Sequence, residues 1–257
     1  MNRPQPYDGQ TVLLEGMTSI SALLDSHGEN DRRILRVLFD RSRQEKRSAE
    51  LRFLAAKAKE LDFSLELTGT DEIDGLASGR THGGILAVCT PRTIPQLTDD
   101  RIKRDRFYVY LEGMEDPYNF GSALRSLYAA GVEGVVLPER NWMSAAGVVA
   151  KASAGASERL PILQAEPEQA AEGFHAAGYR ILCAGIRDSV SIFDETFSYP
   201  ILLVIGGEKR GVSRVLLDRA DQIVRIDYGR AFRGSLSSAS SAAILAFELF
   251  RQNRKNQ

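Results

Sequence analysis

Cysteine and histidine are scarce: two cysteines, Cys89 and Cys183, and three histidines in 257 residues. They lie far apart and offer no metal-ligand spacing, which argues against catalysis at a bound metal. Each cysteine sits in an apolar stretch, ILAVC and RILCAG, that reads as a buried strand, so both thiols are expected to be packing groups. No apolar run approaches the roughly 18 residues of a membrane span. The first ten residues, MNRPQPYDGQ, lack the apolar core of a signal peptide. The expected location is cytoplasmic, with no membrane partner. Phosphate-binding loops are also missing: no G-x-G-x-x-G follows a strand, and there is no G-x-x-x-x-G-K-[ST]. Their absence weakens a nicotinamide-dependent oxidoreductase reading, which dinucleotide bound to the purified protein would restore. The net charge of −1 argues against holding nucleic acid by bulk charge.

What is present is ordinary for a globular chain: 43% hydrophobic and 26% charged residues, in a length that fits one large domain or two modest ones. Local charge is less even. Residues 32–57 carry nine Lys or Arg against three acids. That stretch reads either as a phosphate-facing surface or as a solvated helix face on which Glu45, Glu50 and Lys46 pair locally. The first ninety residues alternate: strands TVLLEG, RILRVLFD, SLELTG and GGILAVC, with helices TSISALLDSH, capped by threonine or serine, and SAELRFLAAKAKELD, whose Leu51, Leu54, Ala58 and Leu61 share a face. Residues 91–105, PRTIPQLTDDRIKRD, have linker composition. From 106 a second series begins: strands RFYVYLEG, EGVVLPE, YRILCAGI, ILLVIGGE and IVRI, with helices SALRSLYAAG, SAAGVVAKASAGASE and SSASSAAILAFELFRQ. Apolar strands alternating with helices predict a mainly parallel sheet covered on both faces. The expectation is a two-domain α/β protein, divided at 1–90, 91–105 and 106–257.

GGEKRG, after the strand ILLVI, has glycines that permit close backbone approach to a ligand; alone, it is equally a tight turn. Three segments together resemble the SpoU/TrmH branch of the knotted RNA methyltransferases. They are LEGMEDPYNFGSALRSLYAAGVEGVVLP, LLVIGGEKRGVS and IVRIDYGRAFRGSLSSASSAAILAFEL, with order and spacing in agreement over 107–250. The first hundred residues are similar to the family's small auxiliary domain, itself similar to a ribosomal-protein RNA-binding fold. The resemblance implies a deep trefoil knot in the C-terminal domain, a homodimer packed through the knot and last helix, and S-adenosylmethionine as methyl donor. It implies structured RNA as substrate, ribosomal before transfer RNA, methylated on a ribose 2′-hydroxyl, with no metal.

Residue by residue, the resemblance places Gly206, Ile226 and Leu236 around the methyl donor. It makes Asn119, Arg125, Glu208, Ser235 and Ser237 the catalytic set. Arg125 holds the position of the group that handles the hydroxyl proton. Its pKa above about 12 makes it a poor base, so the preferred role is to hold an RNA phosphate and orient the hydroxyl. Its structural alternative is an ion pair with Glu112 or Glu115. Asn119 is expected to orient Arg125 or to cap the following helix, and Glu208 to bond toward Asn119 or Arg125. Arg210, Arg230 and Arg233 are candidate RNA-phosphate contacts. The third segment departs from the family pattern. Ser237 stands where asparagine is usual, so one short hydroxyl replaces an amide, and Asp227 stands where proline is usual. A catalytically impaired, RNA-binding relative is therefore the alternative.

Overall fold

The computed structural model describes residues 11–26, 30–139 and 145–254. The stretch MNRPQPYDGQ lies outside them, as does Ser144, the first residue of the expected helix SAAGVVAKASAGASE. The described chain forms two compact units, residues 11–93 together with 145–159, and residues 94–139 together with 160–254.

The first part of the chain runs β1 (Val12–Glu15), α1 (Gly16–Leu24), β2 (Ile34–Asp40), α2 (Ser48–Leu61), β3 (Ser64–Thr68), α3 (Thr70–Leu76) and β4 (Ile85–Cys89). The sheet order is β1-β4-β2-β3. β2 and β3 are parallel, and β4 is antiparallel to β1 and β2. Period-2 apolar residues drive these strands. Leu14, Val37, Phe39, Ile85 and Ala87 meet Ile20 of α1 and Leu54 of α2 in one buried cluster. On α2, Leu51 and Ala58 pack partly against that core, but Leu61 is 49% exposed, so the apolar face ends one turn early. The expected hydroxyl cap of α1 is also absent. Its N-cap is Glu15, with no side-chain capping bond, because the Glu15 carboxylate is engaged by Lys151 and Ser78.

Beyond the first unit's sheet the chain continues as β5 (Phe107–Leu111), α4 (Pro117–Ala129), β6 (Gly134–Leu137), α5 (Ala146–Ala152), α6 (Ala156–Arg159), β7 (Ile162–Gln164), α7 (Pro167–Ala176), β8 (Arg180–Ala184), β9 (Val190–Ser191), β10 (Ile201–Ile205), α8 (Arg214–Leu217), β11 (Gln222–Arg225) and α9 (Ser238–Asn253). The strand order is β7-β6-β5-β10-β8-β11-β9, every pairing parallel. FYVYL and ILLVI are buried at every position, as central strands covered on both faces must be. The expected linker is anchored rather than free. Leu97 and Ile102 enter the core, and the Leu97 amide donates to Gln164 O at 2.7 Å.

The single helix expected over SAAGVVAKASAGASE is broken into α5 and α6. Ala154 and Gly155 both have positive φ, 51° and 83°, which a continuing helix forbids. Both pieces pack within the first unit, α5 beside β1 and α6 beside α1. Cys89 and Cys183 are buried free thiols, and burial pushes each up to about 12, as inert packing groups require.

Candidate active site

Strand order in the second unit reverses between β5 and β10. From β5 the sheet grows through β6 and β7; on the other side of β10 lie β8, β11 and β9. Open parallel sheets bind ligands outside the carboxyl ends of their strands at such a switch point. The two loops there are Gly113–Asp116, after β5, and 206–211, after β10. The first loop, with Glu208 and Lys209 of the second and Asn119 and Ser238, lines a cleft of about 230 Å³. The Glu112 amide extends the β5–β10 pairing by donating to Ile205 O at 2.9 Å.

The glycines of these loops serve the protein's own backbone. A Cβ on Gly206 would collide with the backbone of Gly211 and Val212, and one on Gly207 with the carbonyl of Gly113. The loop closes on itself through the Gly211 amide, which donates to Gly207 O at 2.8 Å, with Gly211 at φ 67°. Glu112 fastens its far end by accepting from the Ser213 amide at 2.8 Å. Ser238, buried at the start of α9, donates its hydroxyl to Gly206 O at 2.8 Å. The second and third motifs are thus joined at the first turn of α9.

Pro117 opens α4 and Asp116 caps it, accepting from the amides of Tyr118 and Asn119. A carboxylate cap with proline at the first turn is a strong helix start. The capping role considered for Asn119 therefore belongs to Asp116. Asn119 instead donates its side-chain amide to Glu208 Oε1 at 3.1 Å, linking the first and second motifs across the cleft. Glu115 pairs with Lys209 at 2.6 Å. Arg125 is exposed, two helical turns along α4 from Asp116. It makes no ion pair with Glu112 or Glu115, and no hydrogen bond or ion pair with any described residue.

The third motif is placed less centrally. Ile226 and Leu236 are half-buried, and Ser235 is exposed. Ser237 is the N-cap of α9 and accepts from the Ser240 amide at 3.1 Å. Asp227 is exposed and accepts from Arg225 Nε at 2.8 Å; its carboxyl is held below the usual range by Ser191 and Arg225. Arg210, Arg230 and Arg233 are exposed. The cleft therefore gathers Asn119 and Glu208 of the expected residues, while Arg125, Ser235, Ser237, Gly206, Ile226 and Leu236 do not line it.

Residues 106–247 match the profile described as the SpoU rRNA Methylase family. The chain belongs to that family. Residues 13–95 match the profile of the RNA 2′-O ribose methyltransferase substrate-binding domain. Among similar proteins is a 23S rRNA (guanosine-2′-O-)-methyltransferase RlmB from Burkholderia sp, 28% identical over 95% of this chain and 97% of the relative. Another, from Shewanella oneidensis, is 27% identical over 94% and 98%. The fold is shared with an AdoMet-bound rRNA methyltransferase from Sinorhizobium meliloti, at TM-score 0.76 and 22% identity, covering 94% of this chain and 87% of that one.

Within the family frame, sequence reasoning missed several residues of the cleft. Asp116 was detectable, since Asp-Pro before an apolar helix is a start signal. Lys209 and Ser238 each adjoin a singled-out residue, but only the fold shows that they line the cleft. Among the described residues no group of three His, Cys, Asp or Glu is placed to hold a metal ion, and no helix is long and apolar enough to cross a membrane.

Proposed function

We propose that this protein transfers a methyl group from S-adenosylmethionine to a ribose 2′-hydroxyl of structured RNA, ribosomal RNA before transfer RNA. The observation that carries the proposal is the cleft at the β5–β10 switch point, where the Asn119–Glu208 bond joins two family motifs and Ser238 ties in the third. The residues fit the methyl donor. Glu115, Asp116 and Glu208 outnumber Lys209 around the cleft, a balance suited to a sulfonium cation. Gly206, Ile226 and Leu236, which the family resemblance assigns to the donor, lie outside the cleft lining, the two aliphatic side chains half-buried. When bound, the donor supplies an electrophilic methyl group.

The chain's own task is positioning. Asn119 and Glu208 hold the two loops in register. Arg125, exposed and without a partner among the described residues, holds a substrate phosphate and orients the 2′-hydroxyl, whose proton passes to that phosphate and on to water as its oxygen takes the methyl. Residues 1–90 act as the substrate-binding part, 91–105 as the connector and 106–257 as the catalytic part. That last part carries a deep trefoil knot and dimerises through it and α9. Arg210, Arg230 and Arg233 contact phosphates.

Ser237 favours a second reading, a catalytically impaired RNA-binding relative, because its one hydroxyl is occupied capping α9. The deciding experiment incubates the protein with labelled S-adenosylmethionine and unmodified cellular RNA and maps 2′-O-methyl positions. Label in RNA that falls at least about a hundredfold with Arg125→Ala is the expected result. RNA binding without transfer would leave the impaired reading, and calorimetry showing no donor binding would remove the ligand assignment.

A further inference from the structure

Single exposed aromatics are ordinary, but two rings packed together on one exposed loop form a patch. The loop between β11 and α9 leaves two open side by side: Tyr228 is 38% exposed and Phe232 59%. Their ring centroids are 5.8 Å apart at 56°. The pair is held by the loop itself. The Tyr228 hydroxyl accepts from the Leu236 amide at 3.3 Å. The Phe232 ring lies over Gly234, where any Cβ would stand 2.5 Å from it. Arg230 and Arg233 interleave with the rings in sequence, are exposed, and make no ion pair or hydrogen bond with any described residue. Two residues beyond Leu236 comes Ser238, which lines the cleft.

Fixed, open aromatic faces beside uncommitted guanidinium groups match an unpaired nucleotide: the rings stack on a base, and the arginines take its flanking phosphates. A protein partner's acidic side chains would satisfy the arginines but would leave the ring faces without a planar counterpart. We propose that Tyr228 and Phe232 form a stacking platform for an unpaired base of the RNA substrate, with Arg230 and Arg233 clamping the adjacent phosphates. This rests on the reading of the protein as an RNA methyltransferase. It adds a selection for single-stranded or bulged nucleotides next to the reaction site.

The test uses the full-length protein and two fluorescein-labelled probes of equal length, a single-stranded oligoadenylate and a fully paired RNA duplex. Donor binding is measured in parallel by calorimetry with S-adenosylmethionine. The expected result is preference for the single strand, weakened about tenfold by Phe232→Ala and Phe232→Leu and kept by Phe232→Trp, with donor affinity and thermal midpoint unchanged. A single-stranded probe carrying 2-aminopurine should be quenched by the wild type and not by the double variant Y228A/F232A. Wild-type RNA binding that neither aromatic substitution alters would overturn the platform while leaving the methyltransferase reading intact. Loss of donor affinity in Phe232→Ala with RNA binding unchanged would also overturn it, assigning the rings to the donor. A wild type that binds neither RNA nor donor would sink the underlying reading instead.

Discussion

Asn119 and Glu208 are separated by 89 positions and meet at 3.1 Å, and this bond, with Glu115–Lys209 and Glu112–Ser213, sets how the two loops face each other. The family motifs name both residues but leave Glu208 bonding toward either Asn119 or Arg125, and the fold selects Asn119. They did not supply Arg125's isolation. An arginine on the helix that follows several acids can be read as paired with them, and only the structure shows that Ser213 and Lys209 have taken Glu112 and Glu115. Ser237 yields the residue-scale prediction. Its hydroxyl caps α9, so Ser237→Ala should cost about 1 kcal/mol of stability, read from urea midpoints. Asparagine caps as well as serine and brings an amide donor. Ser237→Asn should therefore leave the midpoint within about 0.5 kcal/mol while raising the rate of methyl transfer. An unchanged rate in the stable Asn variant would show that the missing amide does not limit the reaction.

Strands were the most legible elements, because FYVYL, ILLVI and RILCA are largely apolar runs of five residues bounded by turns, a length that favours strand over helix. Pieces too short or too small-sided to carry a period leave no mark in the sequence: β7 and β9 of three and two residues, seven-residue α3, and α7, whose PEQAAEGFHA offers one large apolar side chain. The break between α5 and α6 was hidden for the opposite reason: Ala-rich sequence favours helix at every position, and packing overrides it. Gly155 sits at φ 83° with its Cα against Ala22 of α1, so that an added methyl would strike the Ala22 methyl. Gly155→Ala should then lower stability by about 2–4 kcal/mol, the sum of left-handed strain and overpacking. Gly178, also at positive φ but with open space around it, is the control, and Gly178→Ala should lose only the backbone part, about 1–2 kcal/mol. Glu15 at the end of β1 gives a pH signature. Burial raises its pKa, but Lys151 of α5 and Ser78 outweigh this and leave it lowered from 4.5. A lowered folded-state pKa contributes stability that is full above 4.5 and is lost as pH falls through the folded value. Glu15→Gln should therefore flatten the acid side of the stability curve below about pH 4.5 and have its largest cost near neutrality.

At the scale of the whole chain, the first unit is completed by residues far along the sequence, and one ion pair makes that closure costly to break. Arg32 and Glu158 are 126 residues apart and meet at 2.9 Å, with side chains only 4% and 3% exposed. Around them, Asn30 donates to Glu158 O, Arg32 donates to Thr90 O, Ser157 donates to the Glu158 carboxylate, and Arg92 donates to Ser157 O. No sequence pattern announces such a pair. Arg32 reads as one of nine basic residues of a surface stretch, and Glu158 as the end of an Ala-rich helix. Two desolvated charges gain little over an apolar pair of similar volume, but removing one strands the other. Arg32→Ala should accordingly cost about 3–5 kcal/mol, whereas Arg32→Met combined with Glu158→Leu should recover most of it. The single and double variants belong in one double-mutant cycle, read by chemical denaturation with methyl transfer assayed alongside. If Arg32→Ala shifts the urea midpoint no more than an exposed control such as Arg33→Ala, the pair does not hold the unit closed. If it destabilises as expected while transfer per folded molecule is unchanged, the closure is a matter of stability alone. Loss of transfer in the repaired Met–Leu variant, with stability restored, would instead give these buried charges a part in presenting the substrate.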